Sequence, residues 1–435
     1  MPSLGMIEAR AWIRRFVPDG SFTNNVVMLI GGTGLGQVVA LLASPILTRI
    51  YSPEDFGVLS VYVSVLTVLL VVSSLRYDLA IVLPTDDQSA FDLLVLSLGI
   101  VVVLAVLMGL GSLVVEPWVV AWTDMPGADR WVWLLPLGFL GGGVVKALSC
   151  WAIRLKVFRP IALTKLNQSL GMVATQIGIG LIHGGPLGLL LGDAFGRMCS
   201  SVSLWVIAVR SGRRLFTPLR WRNLVAVAAR YWRFPVLNSV SGLLNTLGLA
   251  LPPILLAVFY GPQVAGWFAL GQRVFGAPSA LIGQSVAQVY FGEASQLRRS
   301  DPRALRALYR RTALQLFLLG LPLTILFVAA GPWLMVLVFG EVWRQSGVYL
   351  QIWAMTFLAD FVVFPLSRTL IVMERQDLQL AWDTGRLVLT AGSLVVASAL
   401  HFSHSEAVGI YGLAMLLGYL ALFVLGYYVQ SAETD

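Results

Sequence analysis

Charge is what this chain has least of. Only 12% of its 435 residues are Asp, Glu, Lys or Arg, and 57% are hydrophobic; a soluble domain carries about 25% charged residues. That scarcity excludes a large solvated surface. Lysine is rarer still: Lys146, Lys156 and Lys165 are the three, so 27 of the 30 basic residues are arginine. With no lysine before Lys146, the glycine-rich "MLIGGTGLGQVVALL" of residues 28–42 is no P-loop, and Gln37 stands where a dinucleotide fingerprint needs its third glycine. Two cysteines, Cys150 and Cys199, both in apolar runs, cannot build a disulfide framework. His183, His401 and His404 fall on turns, and "HFSH" lacks a third ligand, so no metal centre is expected. Net charge is +8, but there is no soluble face to present it to nucleic acid, and no such partner is expected.

What is present is apolar sequence in continuous blocks of about 20 residues, the length that spans a bilayer as a helix. The runs do not alternate with period two, so a β-barrel is excluded. Twelve spans are the economical count: 25–50, 56–75, 91–115, 131–152, 161–182, 187–208, 234–259, 265–291, 313–332, 347–372, 380–400 and 407–429. With the termini inside, the inner segments hold 21 Lys/Arg and the outer loops three, Arg49, Arg130 and Arg344. That asymmetry places both termini in the cytoplasm. Trp118, Trp122, Trp131 and Trp133 then crowd the longest outer loop, 116–130, as an interfacial belt. Residues 1–20 read as a short interfacial helix, with Arg10, Arg14 and Arg15 around Trp12 and Phe16. In "SDPRALRALYRRTAL", Asp301 caps a linker helix and Pro302 takes its first position. This segment and "FTPLRWRNLVAVAARYWRFP" suit the anionic headgroups of membrane lipids, with docking of a partner as the other reading.

An internal repeat halves the chain. "PILTRIYSPEDFG" (45–57) and "PILLAVFYGPQVAG" (253–266) each end one span and open the next, offset by about 209 residues. Six spans separate them, so the halves run in the same sense. The expected fold is all-α and integral to the membrane: two parallel-repeat six-helix lobes around a central cavity, residues 1–214 and 215–435. Gly32 and Gly36 form a G-x-x-x-G in the first span, for close helix packing or for a hinge.

Charges inside spans cost about 2.5–3.5 kcal/mol each. Lys165, Asp383 and Arg386 lie near cytoplasmic ends and are expected to snorkel. Asp193 and Arg197, spaced i, i+4, form an intrahelical pair or serve function. Lys146, Arg273, Asp360 and Arg368 have no local partner and are expected to face a hydrated cavity. More cations than anions there suits an anionic substrate, and arginine matches phosphate or pyrophosphate oxygens. Arg273 has Ser64 as its repeat counterpart, so the lobes are chemically unequal.

"FGVLSVYVSVLTVLLVVSSLRYDLAIVLPTDDQSAFDLLVLSL" (56–98), with "RIYSPEDFG" before it, resembles the bacterial polysaccharide (O-antigen-type) flippases of the multidrug/oligosaccharidyl-lipid/polysaccharide exporter superfamily. The resemblance implies a secondary transporter of the inner membrane, not an enzyme. Its implied cargo is a polyprenyl-diphosphate-linked oligosaccharide, carried to the periplasmic leaflet by alternating access and coupled in some members to a proton or sodium gradient, with no cofactor. Arg273 takes the role of the family's diphosphate-handling basic residue in the eighth span; Lys146 and Arg368 carry over loosely, and Arg197 joins them as a candidate. Asp360, Asp193, Arg49, Arg76 and Asp78 are the candidates for gating or coupling, Arg76 and Asp78 having an interfacial pair as their other reading. Other polysaccharide assembly proteins are implied partners. A drug or organic-cation exporter of the same superfamily, and a membrane glycan polymerase or ligase, remain the rival readings.

Overall fold

A computed structural model describes residues 21–122, 128–212 and 221–432, except that the side chains of 21–33, among them Gly32, and of 120–122, 128–130, 158–160, 207, 209–212, 237, 240–241, 278, 280, 299, 302 and 431–432 are outside the description. The expected interfacial helix of residues 1–20 also lies outside it. Among the described residues, twelve helices have 19 residues or more, and there is no strand. They are α1 Ser21–Ile50, α2 Pro53–Val71, α3 Asp87–Trp122, α4 Ala128–Arg154, α5 Phe158–Gly180, α6 Leu187–Gly212, α7 Ser239–Tyr260, α8 Pro262–Ser300, α9 Pro302–Phe339, α10 Arg344–Leu366, α11 Gln376–Ala399 and α12 His404–Ala432. Each expected span overlaps one of them, but the second runs past Val71, the seventh starts ahead of Ser239 and the tenth runs past Leu366.

Among the described residues, seven stretches are long and apolar enough to cross a membrane: Pro53–Val71, Asp87–Val119, Trp131–Arg154, Gly242–Tyr260, Arg303–Phe339, Glu341–Val372 and His404–Gln430. This is a multi-pass membrane protein. Of the helices that fall short in apolarity, α5, α6, α8 and α11 are the ones that hold Lys165, Asp193 with Arg197, Arg273, and Asp383 with Arg386.

Two expectations about connections are corrected. The tryptophan-rich stretch 116–130 is mostly helix: α3 runs to Trp122 and α4 starts at Ala128. Trp118 is exposed and Trp133 donates to Glu116 Oε2 at 2.9 Å, but Trp131 is buried in the core instead of joining a belt. The Asp301 cap forms as expected, its Oδ1 accepting from the amides of Arg303 at 2.9 Å and Ala304 at 3.1 Å. It opens no separate linker helix, however. With no breaker between 303 and 312, one helix runs from the cap straight through the apolar span to Phe339.

Short turns fix the sense of the bundle. Ser52 and Asp55 form a capping box ahead of α2, with Pro53 in the first position. Gly261 (φ 91°) and Gly340 (φ 102°) turn the chain into α8 and into the short helix before α10, a conformation that side chains rarely adopt. The α1–α2, α7–α8 and α9–α10 turns lie at one end: Trp343 Nε1 donates to Thr48 O at 3.2 Å, and Trp267 Nε1, near the start of α8, donates to Val342 O at 2.9 Å. The α11–α12 turn joins them, through His404 Nδ1 on Tyr349 OH at 2.9 Å. We call this the odd-turn end.

Helix partners repeat at an interval of six. In the first six helices α1 packs on α5, α2 on α4, α3 on α4, α4 on α6 and α5 on α6; in the last six, α7 on α11, α8 on α10, α9 on α10, α10 on α12 and α11 on α12. Between these sets, α2 packs on α7 and α8, and α1 on α8. Gly36 is a packing glycine: a Cβ there would lie 3.1 Å from Lys165 O and 2.8 Å from Ser169 Oγ on α5.

Candidate functional site

The repeat units meet each other. A Cβ on Gly57 would lie 1.8 Å from Pro262 O, and one on Gly266 would lie 1.7 Å from Pro53 O. Both pairs are related by the 209-residue offset, so α2 and α8 cross at a local two-fold where only glycine fits. Phe56 lies edge-on to buried Trp343, centroids 5.1 Å apart. Together these residues form a dry seam between the halves at the odd-turn end.

Arg273 sits two turns below Gly266 on α8, about 10 Å beneath the seam. Half-buried, it lies over the Phe56 ring, 6.0 Å from the centroid, and reaches Ser44 Oγ on α1 at 3.4 Å. No carboxylate lies within ion-pair distance of it among the described residues. The charge acting on it is that of Asp193, and that acid is already engaged. Its Oδ2 accepts from Arg197 Nε at 2.7 Å and its Oδ1 from Nη2 at 3.1 Å, the intrahelical pair that the i, i+4 spacing predicts. Gly141 lets α4 press on the Arg197 backbone, and Gly138 makes room for Tyr62 OH, which donates to Leu134 O at 3.2 Å.

The other candidates lie elsewhere. Lys146 is not stranded: its Nζ donates to Leu70 O at 2.7 Å, at the end of α2. Arg76 and Asp78 follow in the turn after α2 and form no ion pair with each other. Asp78 is buried and accepts from Ser74 Oγ at 2.5 Å. Arg76, in the left-handed region at φ 61°, turns its guanidinium onto Gly242 of α7, so the halves also touch at the even-turn end. Tyr77 OH reinforces this junction by donating to Ala228 O, 3.1 Å away in the linker helix Trp221–Arg230. Arg49 is exposed at the end of α1. Arg368 is exposed too, at the start of the short helix Arg368–Val372 and within the apolar stretch Glu341–Val372.

Asp360 on α10 is not alone either. Tyr419 of α12 and the Arg386 charge both act on it. Arg386 itself overturns the snorkelling expectation: 7% exposed, it turns inward to Asn245 Oδ1 at 3.0 Å and Asp383 Oδ1 at 3.4 Å, over the Trp382 ring. The α7–α11–α12 packing supplies these partners, and hydropathy carries no trace of them. Lys165 likewise stays half-buried, its Nζ 3.5 Å from Gln168 Oε1.

The family model described as "Polysaccharide biosynthesis protein" matches residues 46–347, across both repeats. Among curated relatives, the succinoglycan biosynthesis transport protein ExoT of Rhizobium meliloti is 25% identical over 321 residues, 72% of this chain and 61% of its own. The lipopolysaccharide biosynthesis protein WzxC of Escherichia coli is 23% identical over 219 residues, 50% of this chain and 43% of its own. The teichuronic acid biosynthesis protein TuaB of Bacillus subtilis is 26% identical over 167 residues, 38% of this chain and 34% of its own, so the matches span between a third and three-fifths of these relatives. The fold is shared with an inward-facing multidrug resistance transporter of the MATE family of the MOP superfamily, at TM-score 0.73 and 14% identity over 91% of this chain and 95% of that one. It is shared also with the lipid II flippase MurJ in an inward closed conformation, at TM-score 0.71 and 10% identity over 92% and 87%. By the family model that covers both halves of its repeat, the chain belongs to the polysaccharide biosynthesis protein family.

Proposed function

We propose that the chain is a flippase that moves a polyprenyl-diphosphate-linked oligosaccharide from the cytoplasmic to the periplasmic leaflet of the bacterial inner membrane. The two halves, residues 1–214 and 215–435, act as six-helix lobes that rock about a central cavity, with the odd turns periplasmic and both termini cytoplasmic. The observation that carries this reading is Arg273: a half-buried guanidinium without a carboxylate, directly beneath the seam that must part for release. A buried cation lacking a counter-ion is costly, and an arriving diphosphate supplies two anionic groups that guanidinium matches in geometry. The relatives' names, polysaccharide biosynthesis and transport, support a glycan cargo. Asp360, on which Tyr419 and the Arg386 charge act in the second half, couples the cycle to a proton or sodium gradient. Anionic lipids engage the arginine-rich linker, and other polysaccharide assembly proteins receive the product.

The test is a reconstituted assay of glycan exposure at the far leaflet of proteoliposomes. Arg273→Ala abolishes exposure of a diphosphate-linked glycan while the protein stays folded. Undiminished exposure removes the diphosphate role from Arg273, and export of an organic cation that survives the substitution selects the drug-exporter reading instead.

A further inference from the structure

Lys165 was expected to snorkel; its ammonium is half-buried beside Gln168, one turn further along α5. It lies on α5 about 10 Å from the even-turn end and about 22 Å from the odd-turn end. Its own backbone carbonyl presses on Gly36 of α1, and three residues on, Gln168 O presses on Gly196 of α6, where a Cβ would lie 2.8 Å away. Two glycine contacts thus hold this stretch of α5 between α1 and α6. The ammonium has three N–H donors, yet among the described residues its one hydrogen bond is the 3.5 Å contact with Gln168 Oε1, at the outer limit of such bonding. No carboxylate lies within 4 Å of it among the described residues, and the charge acting on it is that of another cation, Arg197. Asp193 cannot neutralise both, because it carries one negative charge and already holds Arg197 with both oxygens. Like charges brought together in a membrane interior are unfavourable unless an anion joins them.

We propose that Lys165, with Arg197, forms a second anion site, on the even-turn side of Arg273, that receives the phosphates of the lipid-linked cargo. This rests on the flippase reading above and adds to it. Arg273 reaches α1 at Ser44 and Lys165 touches it at Gly36, eight residues or about 12 Å apart along one helix. The two sites are successive stations for a headgroup that enters at the even-turn end and stops under the seam.

The experiment measures binding of polyprenyl diphosphate to the full-length protein in nanodiscs, with polyprenol lacking phosphate as the control lipid. Lys165→Gln weakens the diphosphate lipid about tenfold, the value of one charge-assisted hydrogen bond. It leaves the control lipid unchanged, and Lys165→Arg restores affinity. Arg273→Gln is measured beside it. If Arg273→Gln weakens binding and Lys165→Gln does not, the second site is overturned while the flippase reading stands. If neither does, both fall. If Lys165→Gln weakens both lipids alike, or Lys165→Arg fails to rescue, the residue is a packing element and the second site is overturned.

Discussion

The reciprocal glycine seam makes a quantitative prediction. In Gly57→Val, the new Cβ starts 1.8 Å from Pro262 O, where ordinary contact needs about 3.5 Å, so α2 and α8 must separate by more than 1.5 Å or so. The obstacle is backbone at a helix start and cannot rotate aside. Overpacking of this kind costs about 1–3 kcal/mol. At the upper end, a seam sealed 99:1 becomes open in roughly half of the molecules. Gly266→Val does the same against Pro53 O, and because parting the seam for one clash relieves the other, the double variant is less than additive. Spin labels at Glu54→Cys and Gln263→Cys, exposed positions related by the 209-residue repeat, report the separation in a Cys150→Ser/Cys199→Ser background. A longer-distance population grows in both glycine variants. It stays absent in Gly292→Val, on α8 where a Cβ meets nothing within 4 Å. An unchanged distance distribution with an unchanged melting temperature in Gly57→Val would refute the close approach and the seam with it.

Three further outcomes follow from the buried charges and the caps. Asp193→Asn leaves Arg197 unneutralised and lowers stability by about 3–5 kcal/mol, whereas Asp193→Asn/Arg197→Gln recovers most of it, read as melting in detergent. Arg386→Lys keeps the charge but loses the planar fork that meets Asn245 and Asp383 and stacks on Trp382; it melts well below the parent, and parity with the parent would contradict the inward placement. Asp86 caps α3, and the Ser89 side chain and its amide, at 2.7 Å, hold the carboxyl below its ordinary value of 3.8. Stability from the charged cap is therefore present above that value and lost as pH falls through the depressed one. Asp86→Asn melts lower than the parent at neutral pH, and the gap closes in acid.

The fold was legible because burial in lipid writes itself into composition. Every expected span overlaps a long helix, and the 45–57 and 253–266 repeat marked the two turns that meet at the seam. Boundaries were less legible: hydropathy ends where lipid ends, but α9 begins at its Asp301 cap and α3 runs on past Val115, because backbone hydrogen bonding persists beyond the apolar stretch. The Asp193–Arg197 pair was readable because its two members are neighbours on one helix.

What sequence alone determined is the part set by local chain chemistry: apolar length, helix caps, i, i+4 charge spacing and the half-chain repeat. What tertiary structure decided is which charges have partners. Lys146 found a carbonyl on α2, Asp360 a tyrosine from α12 and Arg386 an asparagine from α7, while Arg273 and Lys165 received no acid. The physical reason is that a counter-ion within 4 Å in space can be a hundred residues away in sequence, and only the crossing of helices brings it near.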